Sequence, residues 1–107
     1  RDFTYVGNIV SANLHALEHP NAPGQIFNIA MGEVNSLNQI TAILQQLIGV
    51  DIAPQHADSR PGDIRHSFAD VTKAVELLHF EPQISVVEGL HATIAWYRTR
   101  SAAADTK

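Results

Sequence analysis

Cysteine is absent from the 107 residues, which excludes both a disulfide framework and a thiolate metal site. Positive charge is scarce: seven Lys and Arg stand against eleven Asp and Glu, for a net charge of −4. The cations are scattered, and only Lys73 and Lys107 are lysines. Without a basic stripe, a nucleic-acid partner held by electrostatics is excluded. No apolar run approaches the ~20 residues of a membrane span and no signal peptide opens the chain, so the expectation is a soluble, cytoplasmic protein with no membrane partner. Internal repeats and low-complexity segments are also missing. Arg1 opens the chain without a methionine, the expectation for a fragment or processed piece. A chain of this length is one domain or less, burying roughly 65% of its unfolded surface.

What is present centres on Arg60-Pro61-Gly62-Asp63-Ile64-Arg65-His66-Ser67-Phe68-Ala69-Asp70. Pro61 presets φ and Gly62 accepts positive φ, so the pair suits the centre of a type II turn. Arg60 and Asp63 flank that turn, with Arg65 just beyond. A guanidinium presents a planar fork of donors that fits two phosphate oxygens, and a nearby carboxylate accepts from a sugar hydroxyl. The competing reading is an ordinary surface turn with an internal ion pair. Asp70 is placed to cap the helix that follows.

In chain order, Arg1 to Val6 is β-prone, with aromatics at alternate positions. Gly7 is the expected N-cap of a helix over 8–19 whose face is Ile9, Val10, Leu14 and Leu17, ended by Pro20. After a turn at Asn21-Ala22-Pro23-Gly24, the run Gln25-Ile26-Phe27-Asn28-Ile29-Ala30 is expected as a strand covered on both sides. Ser36-Leu37-Asn38-Gln39 is a capping box opening a helix with Leu37, Ile40, Leu44, Leu47 and Ile48 along its stripe and Gly49 as its stop. Residues 52–57 read as a short edge strand containing Pro54. A helix over 70–78 follows, with Val71, Ala74, Val75 and Leu78 inward. Ser85 and Glu88 form a second capping box, for a helix with Val87, Leu90, Ile94 and Tyr97 inward. Residues 101–107 read as a flexible tail.

Several chemistries lack their parts. His15 and His19 stand at i, i+4, but no third ligand has a defined place beside them, and no metal site is expected. Ser67 and Asp70 lie near a histidine without a nucleophile elbow, so a hydrolase triad is rejected. The six glycines never approach the spacing of a dinucleotide-binding loop. Anion-binding residues are present and a reactive centre is not visible.

Taken together, Arg1-Asp2-Phe3-Thr4-Tyr5-Val6, Gln25-Ile26-Phe27-Asn28-Ile29-Ala30, Ser36-Leu37-Asn38-Gln39, Arg60-Pro61-Gly62-Asp63, Ala69-Asp70 with Lys73-Ala74, and Glu88-Gly89-Leu90 with Trp96-Tyr97 resemble one family. It is the extended short-chain dehydrogenase/reductases, the NAD-dependent nucleotide-sugar epimerases and dehydratases, and the resemblance runs to about residue 98. The Ser-Leu-Asn-Gln box and the run from Asp63 to Ser67 look most like the UDP-N-acetylglucosamine 4-epimerase branch.

The resemblance implies an α/β fold: the C-terminal substrate-binding region of an extended Rossmann-type enzyme, with about four helices and two or three short strands. Residues 1–100 would be that region, and 1–30 would belong to the edge of a cofactor domain. It implies Arg1 and Arg60 on the diphosphate of a UDP-sugar and Asp63 at its nucleoside end. Asp2 and Asp70 are read as turn and capping residues instead. The family's Tyr-x-x-x-Lys pair fails here, since Ile9 follows Tyr5 and Ser101 follows Tyr97 at the lysine position. No catalytic residue and no cofactor are therefore expected in this chain, although NAD is implied for the full-length family. The expected function is the UDP-sugar binding portion of such an enzyme, inactive alone and weak in its grip. The alternative is a stand-alone module that binds a nucleotide or only oligomerises. A homo-oligomer built through residues 1–30 is expected, because the apolar strand needs cover.

Overall fold

The structure, a computed structural model, describes residues 1–105. Four helices carry its regular structure: α1 (Val6–Glu18), α2 (Leu37–Ile48), α3 (Thr72–Leu78) and α4 (Val86–Asp105). The expected strands do not form among the described residues. A strand needs a partner for its ladder, and the backbone donors around 25–35 are engaged elsewhere. The Met31 and Gly32 amides donate to the Asp2 carboxylate at 3.0 and 2.9 Å. One reciprocal pair joins Arg1 to Asn35, at 3.1 and 2.9 Å, and the Lys73 ammonium donates to the Ile26 carbonyl. Ile26, expected to be covered, is 85% exposed. Residues 52–57 are exposed throughout and likewise form no strand.

Local signals fare better because their causes are local. In α2 the Ser36 hydroxyl accepts from the Gln39 amide while the Gln39 side chain accepts from the Ser36 amide. Gly49 ends the helix at φ 84°, the left-handed geometry that a missing Cβ permits. Ser85 and Glu88 make the same reciprocal pair at the start of α4. That helix continues past Ser101 to Asp105, so 101–105 extend it where a tail was expected, and 106–107 lie outside the described residues. Asp70 sits one position before the α3 cap, and its carboxylate accepts from both the Thr72 amide and hydroxyl. His79 ends α3 in left-handed geometry, at φ 53°.

The α1 cap is Tyr5, not Gly7, and no side chain caps it. Gly7 lies inside the helix, and a Cβ there would meet the Tyr5 ring at 2.8 Å. A Cβ on Gly89 of α4 would meet the same side chain at 2.7 Å. The Tyr5 side chain thus lies against both Gly7 and Gly89, where a Cβ would meet it.

The core is small. Ala12, Ala74, Leu78 and Phe80 form its centre, with Ala16, Ala22, Phe27 and Ile29 packed against it. α1 meets it with its small and polar side. Asn8 is 1% exposed; its amide donates to the Ile84 carbonyl at 2.8 Å, and its oxygen accepts from the Gln83 and Ile84 amides at 3.2 and 3.1 Å. His15 bonds the Leu78 carbonyl and Asn21 the Leu77 carbonyl, satisfying two acceptors that the end of α3 leaves open. The expected apolar face points the other way: Val10, Leu14 and Leu17 are exposed, as are Val75, Val87, Trp96 and Tyr97. The radius of gyration is 17.2 Å, against roughly 13 Å for a compact domain of this length. The expansion and the uncovered stripe have one cause, apolar surface that the chain cannot bury on itself.

Candidate functional site

The start of the chain is fixed by its second residue. With both Asp2 oxygens accepting from the 31–32 backbone and the Thr4 hydroxyl adding a third bond, Asp2 is a structural residue, and Arg1 is held beside Asn35 at the entrance to α2. The turn that carries Arg60 closes through the Asp63 amide donating to the Arg60 carbonyl at 3.2 Å, with Gly62 at φ 85°. Positive φ at the third position makes it the expected type II turn.

These two anchors face one cavity of about 730 Å³. Arg1, Arg60 and Asp63, 59 or more residues apart in the first case and three in the second, all line it. Its remaining wall is the first turn of α2, from Ser36 to Gln39, together with Asp58, Arg65 and His66. The first amides of a helix have no partner inside it and carry the positive end of its dipole. The start of α2 and three guanidinium groups thus border one cavity together with the carboxylates of Asp58 and Asp63, and the Gln39 amide is already taken by the Ser36 hydroxyl. A second cavity of about 350 Å³ adjoins it, sharing Arg1 and lined further by Asp2, Thr4, Ser67 and Phe68.

Sequence reasoning named the three residues but treated Ser36 to Gln39 only as a helix start. Nothing local in the sequence placed that helix start in the same cavity as Arg60. Asp58 carried no signal at all. Of the histidines only His66 lines this cavity; three others gather elsewhere, His15 and His19 with ring centres 5.4 Å apart and His79 6.1 Å from His19. No group of His, Cys, Asp or Glu among the described residues is arranged to hold a metal ion. No helix among them is long and apolar enough to cross a membrane.

Comparison with known proteins defines the class first: the chain's relatives are UDP-sugar 4-epimerases and other members of the extended short-chain dehydrogenase/reductase group. Among them, the UDP-glucuronate 4-epimerase of Thermodesulfobacterium geofontis is 36% identical over 97 residues, which are 90% of this chain and 29% of that protein. The solved UDP-glucose 4-epimerase of Thermotoga maritima, crystallised with UDP-glucose, superposes with a TM-score of 0.85 at 39% identity, covering 94% of this chain and 32% of that one. The UDP-glucuronic acid 4-epimerase of Bacillus cereus, solved with a UDP-fluoro-glucuronic acid and NAD, gives 0.77 at 33% identity, covering 86% and 30%. No protein-family model matches the chain. The chain spans about a third of the length of these relatives.

A dinucleotide pyrophosphate needs a glycine-rich turn opening a helix, and the glycine at the start of α1 is filled by the Tyr5 ring. No step of hydride transfer is assigned to these residues.

Proposed function

We propose that this chain is the nucleotide-sugar binding portion of a UDP-sugar 4-epimerase or dehydratase, without catalytic power alone. Arg1 and Arg60 take the two phosphates, helped by the first turn of α2, and Asp63 accepts a hydrogen bond from the ribose. The observation that carries this reading is the single cavity shared by Arg1, Arg60 and Asp63. Relatives that act on UDP-hexoses and UDP-hexuronates, two of them solved with a UDP-sugar, support the ligand class. The run from Asp63 to Ser67 favours the UDP-N-acetylglucosamine branch for the parent enzyme, with NAD belonging to other parts of it.

The cavity is open and Arg1, Arg60 and Asp63 are all exposed, so affinity for UDP is weak. Arg60→Ala removes a charge-assisted contact of about 1.5–3 kcal/mol and abolishes measurable UDP binding by calorimetry. UDP binding that ignores the substitution overturns the arginine's role.

A second reading has its own observation. The exposed stripe Val10, Leu14 and Leu17, and the exposed Ile26, suit a module that self-associates through residues 1–30, whether or not it binds a nucleotide.

A further inference from the structure

Three histidines meet where α1 and α3 end. The His19 ring centre lies 5.4 Å from that of His15, one turn earlier in the chain, and 6.1 Å from that of His79, the cap of α3. Hydrogen bonds fix two of the ring states. The Leu78 carbonyl can only accept, so the His15 Nε2 beside it carries a proton. At His19 the roles are reversed: the Asn21 backbone amide donates to Nδ1 at 3.1 Å, so Nδ1 carries no proton and the ring is neutral. That bond joins a side chain to the amide two residues on, the pattern by which Asn and Asp fix a turn. The same turn is held by the Ala22 amide on the His19 carbonyl at 3.1 Å and the Gln25 amide on the Ala22 carbonyl at 3.0 Å. It carries Asn21, whose side chain bonds the Leu77 carbonyl at 2.9 Å, and Ala22, which packs against the core. The bond at His19 thus belongs to the junction between α1 and α3.

We infer that His19 is an acid-sensitive latch for this junction, closed while its imidazole is neutral and opened when Nδ1 takes a proton. The latch is independent of the nucleotide reading. A second proton on the ring can enter only at Nδ1, because Nε2 already holds one. It removes the lone pair that the Asn21 amide uses and sets two N–H groups against each other. It also places a positive charge beside the rings of His15 and His79. The charged groups on the elements that meet here do not offset it. Glu18 on α1, Glu76 on α3 and Glu81 beyond His79 form no ion pair with a histidine among the described residues, although Glu81 borders a cavity of about 170 Å³ with His15 and His79. Lys73 of α3 is engaged by the Ile26 carbonyl and the Phe27 ring. Histidine is the side chain that ordinarily changes charge between about pH 5 and 8. Closure is therefore complete at the upper end of that range and is lost toward the lower end.

The test is NMR of the imidazole nitrogens and backbone amides of the whole chain from about pH 8 down to about pH 5.5, the range of an imidazole, with thermal midpoints at both ends. At the upper end the His19 ring shows the tautomer protonated at Nε2, and the Asn21 amide shift follows the ring's titration as pH falls. His19→Asn supplies an acceptor for the same amide without a titrating group, and circular dichroism verifies that it keeps the helices. Across the range the unsubstituted chain loses about 4 °C more in thermal midpoint than the variant does, the size of one net hydrogen bond in a chain this long. An Asn21 amide indifferent to the protonation of His19 overturns the inference, as does a His19 ring protonated at Nδ1 at the upper end. Equal acid losses in the two chains overturn it too. Should His19→Asn fail to fold, the ring and amide shifts of the unsubstituted chain decide alone.

Discussion

The two sides of α1 reverse the usual arrangement. The side that faces the protein is Asn8, Ala12 and Ala16, one polar amide and two methyl groups, whereas the side that faces outward is Val10, Leu14 and Leu17. The inner side is held by shape and hydrogen bonding, because small residues admit Leu78 and Phe80 and because every polar atom of Asn8 has a partner. The outer side has area and nothing to set it against. A hydrophobic stripe therefore marks surface meant to be covered, and it does not say by what. In a chain a third as long as its relatives, the cover need not be in the chain itself.

The largest expected effect lies on the inner side. Asn8→Ala strips partners from the Gln83 and Ile84 amides and the Ile84 carbonyl, all near the buried pocket that Asn8 fills. Leaving such groups unpaired costs about 3 kcal/mol, or more than about 10 °C in the thermal midpoint at this size. An unchanged midpoint would mean that water replaces the amide at no cost, and the contrast between the two sides would collapse.

On the outer side the doubly substituted Leu14→Glu, Leu17→Glu chain changes the stability of a single copy by less than about 0.5 kcal/mol, since both residues are exposed. Its effect falls on association. Light scattering gives at least twice the 11.7 kDa chain mass for the parent sequence and one chain mass for the variant. A parent sequence that stays monomeric at high concentration removes the stripe's role in pairing copies.

The third prediction concerns the end of α3, where this inner packing terminates. His79 holds φ 53°, a conformation costly for any residue with a Cβ. His79→Gly relieves up to about 1 kcal/mol and raises the midpoint by about 4–8 °C. A fall would show that the His19–His79 ring contact outweighs the backbone cost.

The smallest effect is at Asp70. The Thr72 hydroxyl, and then the Thr72 amide, hold its carboxyl below the ordinary carboxylate value. Its folded state thus prefers the ionised form, so its contribution is complete above the usual value of about 3.9 and disappears as pH falls through the lower folded value. The group is fully exposed, which keeps the effect small. Asp70→Asn should flatten the acid limb of stability slightly between those values; a variant with an unaltered acid limb would sink the linkage.

What could be read from the sequence follows the reach of each interaction. Both capping boxes, the Pro61-Gly62 turn and the stop at Gly49 depend on residues within a few positions, and each appears in the structure. The run from Gln25 to Ala30 has a strand's composition, but its ladder depends on chain far away, and no partner lies among the described residues. Phe80 gave no periodic signal, because it enters the core from beyond the end of α3. In α4 Val86 and Gly89 are buried, and of the expected face Leu90 and Ile94 are half-buried whereas Val87 and Tyr97 are exposed. The site divides the same way: Arg60 and Asp63 share a turn, whereas their meeting with Arg1 and the start of α2 is a property of the whole fold.

Asn8 also sets an order of events. Its partners lie 75 and 76 positions later in the chain, so the bonds that make its burial tolerable close one of the longest loops this molecule has. Loop closure of that span comes after local helices have formed. During synthesis, α1 emerges long before Gln83 and Ile84 do, and until then its amide keeps its water. The inner side of α1 is therefore completed only once residues 83 and 84 have been made, and until then both sides of the helix are open.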